Sequence, residues 1–251
     1  MITENDELRI YRGNDFVISE HIIIHHPTLD EICDYGEQDY YSMVYQLTST
    51  PQNMKSKLWD KGIDYTKISP WSLFYNIIFR MFSQKETSII FGDLDFQNFQ
   101  VTKRDDDSVI LYQTVNVSNG IDEIVIDESI YNTIMDYLRK IHGIEKDERM
   151  PGNESTKMVL IEDEREELEL NKHKKYHSQL KNLISAMVNS EGFKYNHSQV
   201  WGMKINAFMD SVKRILKTEN AKLLLQSGYS GFGINLKEID QKQIDWTGEL
   251  D

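Results

Sequence analysis

The chain has 251 residues, of which 39% are hydrophobic, and it carries a formal net charge of −13. This length can form one large domain or two smaller ones, and four Trp, thirteen Tyr and ten Phe can fill a sizeable core. The negative charge argues against a general nucleic-acid binder, which needs a basic face to displace counterions. The single cysteine, Cys33, excludes an intramolecular disulfide and fits a reducing cytoplasm.

The N-terminal sequence and the distribution of charge give further expectations. MITENDELRI lacks the basic and apolar regions of a signal peptide, and no apolar run is long enough to cross a bilayer. Residues 1–50 contain ten Asp or Glu and two Arg, whereas residues 201–251 contain seven of each sign. An acidic N-terminal surface would attract a basic protein surface, or it would serve solubility alone.

The first predicted elements are a strand pair and two short helices. LRIY and FVISEHIII flank the turn-type tetrapeptide RGND, which predicts paired strands in residues 8–25. Thr28 and Glu31 form a capping-box pattern that predicts a helix start, and Gly36 predicts the end of that helix. A second helix should follow. Its apolar face would comprise Tyr41, Val44, Tyr45 and Thr48.

The middle of the chain is predicted to contain a buried helix, a β-meander and a second long helix. Ser69 as N-cap and Pro70 at the first helical position predict the buried helix. SIIFGDLDFQNFQV, SVILYQTVNV and IDEIVI predict antiparallel strands across residues 88–126, joined at KRDDD and at Asn119-Gly120. A helix over residues 128–142 would pack against one face of this sheet.

The remainder of the chain is predicted to be helical. The acidic-to-basic segment IEDEREELELNKHKK has almost no apolar stripe and should be an exposed helix. Two amphipathic helices follow, with apolar positions from Leu180 to Val188 and from Trp201 to Ile215. The sequence therefore predicts an α+β fold. It comprises an α+β domain in residues 1–145, a linker in residues 146–156 and an α-helical domain in residues 157–251.

Potential metal-binding and catalytic residues occur at several positions, but their spacing is unfavourable. One cluster of metal-ligand residue types comprises His21, His25, His26, Asp30, Glu31 and Cys33. His173 and His177 have zinc-protease spacing but lack the intervening catalytic Glu. Asp105–Asp107 are expected in a solvent-exposed hairpin turn, which does not provide the two different carboxylate environments that acid–base catalysis requires. Asp93 and Asp95 would share one strand face, which leaves open a weak cation site.

Two further motifs are also weak. GYSGFG, residues 228–233, follows a helical run and lacks the GK[ST] of a phosphate loop. The helices expected at 178–190 and 198–217 are joined by a connection too long for a standard helix-turn-helix. We therefore predict no catalytic, cofactor-binding or metal site, and no nucleic-acid partner. A binding or assembly protein is favoured over an enzyme.

Segments along nearly the whole chain resemble proteins encoded by tailed bacteriophages of Gram-positive hosts. These segments are PTLDEICDYGEQDYY, LWDKGIDY, SLFYNIIF, DEIVIDESIYNTIMDYLRKIHG, PGNESTKMVLIEDEREE and LLLQSGYSGFGINLKEIDQKQIDW. The resemblance implies a non-enzymatic protein of the infected host cytoplasm. Its most specific implication is a tail-assembly chaperone that coats the tape-measure protein while tail tube subunits polymerise. The chain is longer than many such chaperones, which leaves open a minor virion protein of the head, connector or baseplate.

The candidates for a protein interface are aromatic residues, which combine a large contact area with a polar edge. They are Tyr35, Tyr40, Tyr41, Trp201, Phe208, Tyr229, Phe232 and Trp246. The stretch PTLDEICDYGEQDYY would present its tyrosines among carboxylates, with core packing of Tyr41 and Tyr45 as the alternative. The expected partners are the tape-measure or tail tube protein. The sequence leaves open whether copies of the chain associate.

Overall fold

A computed structural model describes residues 4–117, 120–230, 233, 235–236 and 238–250. The chain forms two compact units. Unit 1 comprises residues 1–27 and 31–177, and unit 2 comprises residues 28–30 and 178–251. Helices and two small antiparallel sheets confirm the predicted α+β class, with a helical C-terminal part.

Unit 1 begins with a helix where the sequence predicted a strand. Helix α1 (Glu4–Tyr11) contains LRIY, and the paired strands β1 (Phe16–Val17) and β2 (Ile23–Ile24) both lie within FVISEHIII. Gly13, with φ of 98°, permits the turn that ends the helix. The prediction of LRIY as a strand is therefore wrong.

A series of short helices follows, which lies in unit 1 except for Leu29 and Asp30 at the start of α2. They are α2 (Leu29–Tyr35), α3 (Glu37–Leu47), α4 (Lys55–Asp60), α5 (Pro70–Asn76) and α6 (Gln84–Phe91), with 3₁₀ turns at Pro51–Met54, Ile78–Arg80 and Phe96–Asn98. Gly36 follows α2 with φ of 102°, as expected for the residue that ends that helix. The Ser69 hydroxyl accepts a hydrogen bond from the Ser72 amide at 3.0 Å, which confirms the predicted N-cap of α5.

The buried face of α3 differs from the predicted one. The core side chains are Tyr40, Met43, Val44 and Leu47. Tyr45, predicted on the apolar face, is 56% exposed. The spacing of Tyr40, Met43, Val44 and Leu47 also follows the helical repeat, so periodicity alone allowed two neighbouring faces.

The predicted meander is shorter than expected because its first segment is helical. Ser83 and Glu86 form a capping box, in which the Ser83 amide donates to the Glu86 carboxylate at 2.7 Å. This box begins α6, which contains SIIF. The sheet consists of β3 (Gln100–Lys103), β4 (Val109–Val117) and β5 (Gly120–Ile126), in that order and antiparallel. The β4–β5 hairpin is confirmed, and Asn119 of its predicted turn lies outside the described residues.

Helix α7 (Glu128–His142) provides a large part of the core of unit 1. The Asp127 carboxylate accepts from the Ile130 amide at 3.0 Å and caps the helix. The predicted helix over residues 128–142 is thus confirmed at both ends. Its buried side chains include Tyr131, Ile134, Tyr137, Leu138 and Ile141.

Helix α8 (Glu154–Asn171) belongs to unit 1, although the sequence placed the end of the first domain before it. Ile161 is fully buried, and the Lys157 ammonium lies 3.0 Å from the Asp64 carboxylate. These contacts hold the helix in unit 1, so the division lies after His177 rather than in residues 146–156. The rest of α8 is largely exposed, as predicted.

Unit 2 contains α9 (Gln179–Val188), a 3₁₀ turn at Val200–Gly202, α10 (Ile205–Tyr229) and α11 (Gln241–Ile244). Its core side chains include Leu180, Ile184, Met187, Ile205, Phe208 and Val212. Residues 28–30 join this unit, where the Leu29 amide donates to the Met203 carbonyl at 2.9 Å. The Arg214 guanidinium donates to the carbonyls of Trp246 and Gly248, which fastens the C-terminal segment to α10.

Candidate functional site

The tyrosines predicted for an interface in unit 1 have different environments. Tyr35 is half-buried, and its hydroxyl donates to the Glu86 carbonyl at 3.0 Å. Tyr41 is also half-buried, and burial, followed by nearby Glu37 and Tyr45, raises its pKa to about 12. Both side chains keep an accessible part that another protein can contact.

Tyr40 lies in the core and is not a surface residue, which corrects its prediction as an interface candidate. It is fully buried, and its hydroxyl lies 2.7 Å from Nε2 of His142. Burial, followed by nearby Tyr41, raises the Tyr40 pKa well above its usual value. The amphipathic character of tyrosine therefore serves an internal hydrogen bond at this position.

Two exposed tyrosines complete a surface that the sequence analysis only partly identified. Tyr45 lies one helical turn after Tyr41 in α3, so both side chains are on the same side of the helix. The Tyr176 side chain is 44% exposed. Partial burial of this side chain, followed by a hydrogen bond to Glu37, raises the pKa of its hydroxyl. We call Tyr35, Tyr41, Tyr45 and Tyr176 the tyrosine surface. The four-residue spacing of Tyr41 and Tyr45 was the signal available in the sequence.

The sequence around Tyr35, Tyr41 and Tyr45 is strongly negative, whereas Lys174 and Lys175 directly precede Tyr176. Residues 13–54 contain seven Asp or Glu and neither Lys nor Arg. Asp34 and Asp39, on α2 and α3, are exposed. An acidic surface with exposed aromatic rings favours contact with a basic protein partner.

The candidates in unit 2 also divide between surface and core. Tyr229 is 80% exposed and Trp246 is exposed, whereas Trp201 is half-buried and packs edge-on against His197. Phe208 is fully buried, so its prediction as an interface residue is corrected to a core position. Phe232 lies outside the described residues.

Two leucines of α10 are exposed on one side of the helix and were not among the predicted candidates. Leu216 and Leu223 are each 64% exposed. They are seven residues apart, so they lie on the same side of α10, separated by about 10 Å along its axis. We call this pair the leucine face. Its signal in the sequence was the heptad spacing, which the buried positions of the same helix obscured.

Each of the three histidines near the N-terminus forms a hydrogen bond with a different side chain. The distances are 2.6 Å from His21 to Asp122, 2.7 Å from His25 to Asp15, and 2.5 Å from His26 to the Tyr137 hydroxyl. In the part of the chain that the structure describes, no three His, Cys, Asp or Glu side chains are grouped to hold a metal ion.

The predicted histidine pair lies in a segment without regular secondary structure, and two of the predicted aspartates have local structural roles. His173 and His177 follow the end of α8 in an exposed non-helical segment, so the helix predicted there ends too early to align them. The Asp95 carboxylate accepts from the Gln97 amide at 3.0 Å, and that of Asp106 accepts from the Ser108 amide at 3.0 Å. Both carboxylates thus stabilise turns.

No family model, curated protein or solved structure matches this chain. Within the described residues, no helix is sufficiently long and apolar to span a bilayer. The function must therefore be inferred from the sequence and from the exposed surfaces of the two units.

Proposed function

We propose that this protein is a non-enzymatic assembly protein of a tailed bacteriophage. In this proposal it is a tail-assembly chaperone that binds amphipathic helices of the tape-measure or tail tube protein. It acts in the cytoplasm of the infected host. The observation that carries the proposal is the leucine face of α10, and the phage-like segments of the sequence support it.

The leucine face suits the apolar side of another helix. Leu216 and Leu223 are separated by one heptad, the spacing at which one helix packs along another. The exposed polar side chains Glu219 and Asn220 lie three and four residues after Leu216, so they separate the two leucines on the same side of α10. An amphipathic client helix would pack apolar side chains against the two leucines and polar side chains against Glu219 and Asn220.

Exposed aromatic residues increase the contact area of unit 2. Tyr229 at the end of α10 and Trp246 near the C-terminus present large rings to solvent. Aromatic rings contribute a large share of binding energy in protein interfaces. The strong negative charge of the chain would keep a complex with an apolar client in solution.

The proposal is tested by co-expressing the full chain with the tape-measure protein of the same phage. The variant Leu216→Ser/Leu223→Ser removes the leucine face, and Leu168→Ser/Leu170→Ser removes two exposed leucines of α8 as a matched control. The measured quantity is the fraction of tape-measure protein that stays soluble after centrifugation.

The wild-type chain and the α8 control should keep the tape-measure protein soluble, whereas the α10 variant should not. Binding to the leucine face would also appear as co-purification of the two proteins. The proposal is refuted if the wild-type chain leaves the tape-measure protein insoluble, or if the two variants behave alike.

A further inference from the structure

A basic cavity lies in unit 1 between the end of α1 and strand β1. Its volume is about 410 Å³, and its lining includes Arg9, Arg12, Asn14 and Phe16. Gly13, with φ of 98°, allows the chain to reverse direction after α1, and the Asn14 amide donates to the Arg9 carbonyl at 3.1 Å. This turn places both arginines beside the start of β1.

The arginines are exceptional within an acidic part of the chain. They are the only Lys or Arg among residues 1–54. The Arg12 Nε donates to Oδ1 of Asn14 at 3.0 Å, which orients its guanidinium. Among the described residues neither arginine has an ion-pair partner.

The one carboxylate that lines the cavity is bonded to other groups. Oδ2 of Asp15 lies 2.7 Å from Nδ1 of His25, and its Oδ1 accepts from the His26 amide at 3.4 Å. The Asp15 carboxylate is therefore directed towards β2 and the residues after it. The guanidinium donors of Arg9 and Arg12 remain available for an external anion, and a guanidinium binds a carboxylate through paired hydrogen bonds.

Phe16 and Val17 line the cavity beside the arginines, and two apolar residues of α1 are close to the arginines in the sequence. Phe16 is buried and packs on Tyr137 with ring centroids 4.3 Å apart, which makes a rigid wall. Leu8 and Tyr11 of α1 and Val17 of β1 are exposed nearby in the chain. Such a mixture of Arg, Tyr and aliphatic residues is typical of sites that bind another polypeptide.

We propose that this cavity binds an acidic, apolar peptide segment of a partner protein, with Arg9 and Arg12 holding a carboxylate beside Phe16. An apolar side chain next to that carboxylate would pack against the exposed residues of α1 and β1. The inference rests on unit 1 alone and does not depend on the proposed function of the leucine face.

The test is isothermal titration calorimetry with the full chain at low salt. The probes are the blocked peptide acetyl-Leu-Asp-Leu-Glu-Phe-amide, its counterpart with Asn and Gln in place of Asp and Glu, and inorganic phosphate. The variant Arg9→Gln/Arg12→Gln removes the donors. Lys57→Gln/Lys85→Gln, at two exposed positions of the same unit, makes the same change in net charge.

The acidic peptide should bind the wild-type chain and the lysine control with equal affinity. It should bind the arginine variant at least about tenfold more weakly, since two charge-assisted contacts are lost. Far-UV circular dichroism checks that the arginine variant is folded. The comparison of the acidic and amide peptides on the wild-type chain needs no variant.

Three results would overturn the inference. The first is equal binding of the acidic and amide peptides, and the second is equal loss of affinity in the arginine variant and the lysine control. The third is phosphate binding as tight as peptide binding, which would assign the cavity to a free anion rather than a polypeptide.

Discussion

The buried histidine His142 should make the stability of the protein depend on pH. Its Nδ1 lies 2.8 Å from the Leu138 carbonyl, which can only accept, so Nδ1 carries the proton. Burial, partly offset by this hydrogen bond, lowers the pKa of His142 from 6.5 to about 4. Nε2 of the neutral ring therefore accepts a hydrogen bond from the Tyr40 hydroxyl, and the distance between Nε2 and the hydroxyl oxygen is 2.7 Å.

The expected magnitude follows from the two pKa values of His142. In the unfolded chain the ring binds a proton as the pH falls through 6.5, whereas in the folded chain it stays neutral until the pH nears 4. Since the unfolded state binds more protons in this window, acidification favours unfolding. The free energy of unfolding should fall by about 2 kcal/mol between about pH 7 and about pH 5 through this group alone.

Urea denaturation at these two pH values measures the effect. The variant His142→Gln cannot be protonated, so its free energy of unfolding should change by about 2 kcal/mol less than that of the wild-type chain. The difference between the two pH dependences isolates His142 from all other titrating groups. Equal pH dependence of the two proteins would refute the reasoning.

Three further substitutions test the core by urea denaturation. Tyr40→Phe leaves the acceptor on the buried histidine without its partner and should cost about 1–3 kcal/mol, whereas exposed Tyr45→Phe should cost almost nothing. Ile161→Ala should cost about 2–5 kcal/mol, against less than about 0.5 kcal/mol for exposed Val159→Ala. Equal losses in the free energy of unfolding for Ile161→Ala and Val159→Ala would contradict the packing of α8 in the core of unit 1. Gly92→Ala should cost about 1 kcal/mol or more, because φ is 59° and the added Cβ would approach a histidine at 2.9 Å. An unchanged free energy of unfolding in Gly92→Ala would contradict the positive φ and the close histidine contact at Gly92.

Elements with specific end signals were predictable from the sequence. Ser69 with Pro70 determines the start of α5, because a hydroxyl acceptor and a fixed φ both favour that position. The β4–β5 hairpin was predictable from alternating apolar residues flanking a turn sequence. Each of these signals is local, so no tertiary contact was needed to interpret it.

Short apolar runs were not predictable in the same way. LRIY and SIIF are compatible with both strand and helix periods over four residues, and both are helical in the structure. The capping box at Ser83 and Glu86 was the signal that would have identified α6. At α6 this capping box outweighs the strand propensity of SIIF.

The interface candidates show a similar limit. The sequence alone does not distinguish Tyr40 and Phe208 from exposed aromatic residues, but tertiary packing buries both side chains. Leu216 lies within the predicted helix, next to the predicted apolar position Ile215, whereas Leu223 lies in a part of α10 beyond the predicted end at residue 217. Which aromatic and aliphatic residues face solvent is decided by contacts between distant parts of each unit.

The most direct test of the proposed chaperone function is quantitative mass spectrometry of purified virions and infected-cell lysate. Both samples come from the phage that encodes this chain. The proposal predicts that the protein is abundant in the lysate and absent from the virion. A fixed copy number in purified virions would contradict it and identify a structural component of the particle.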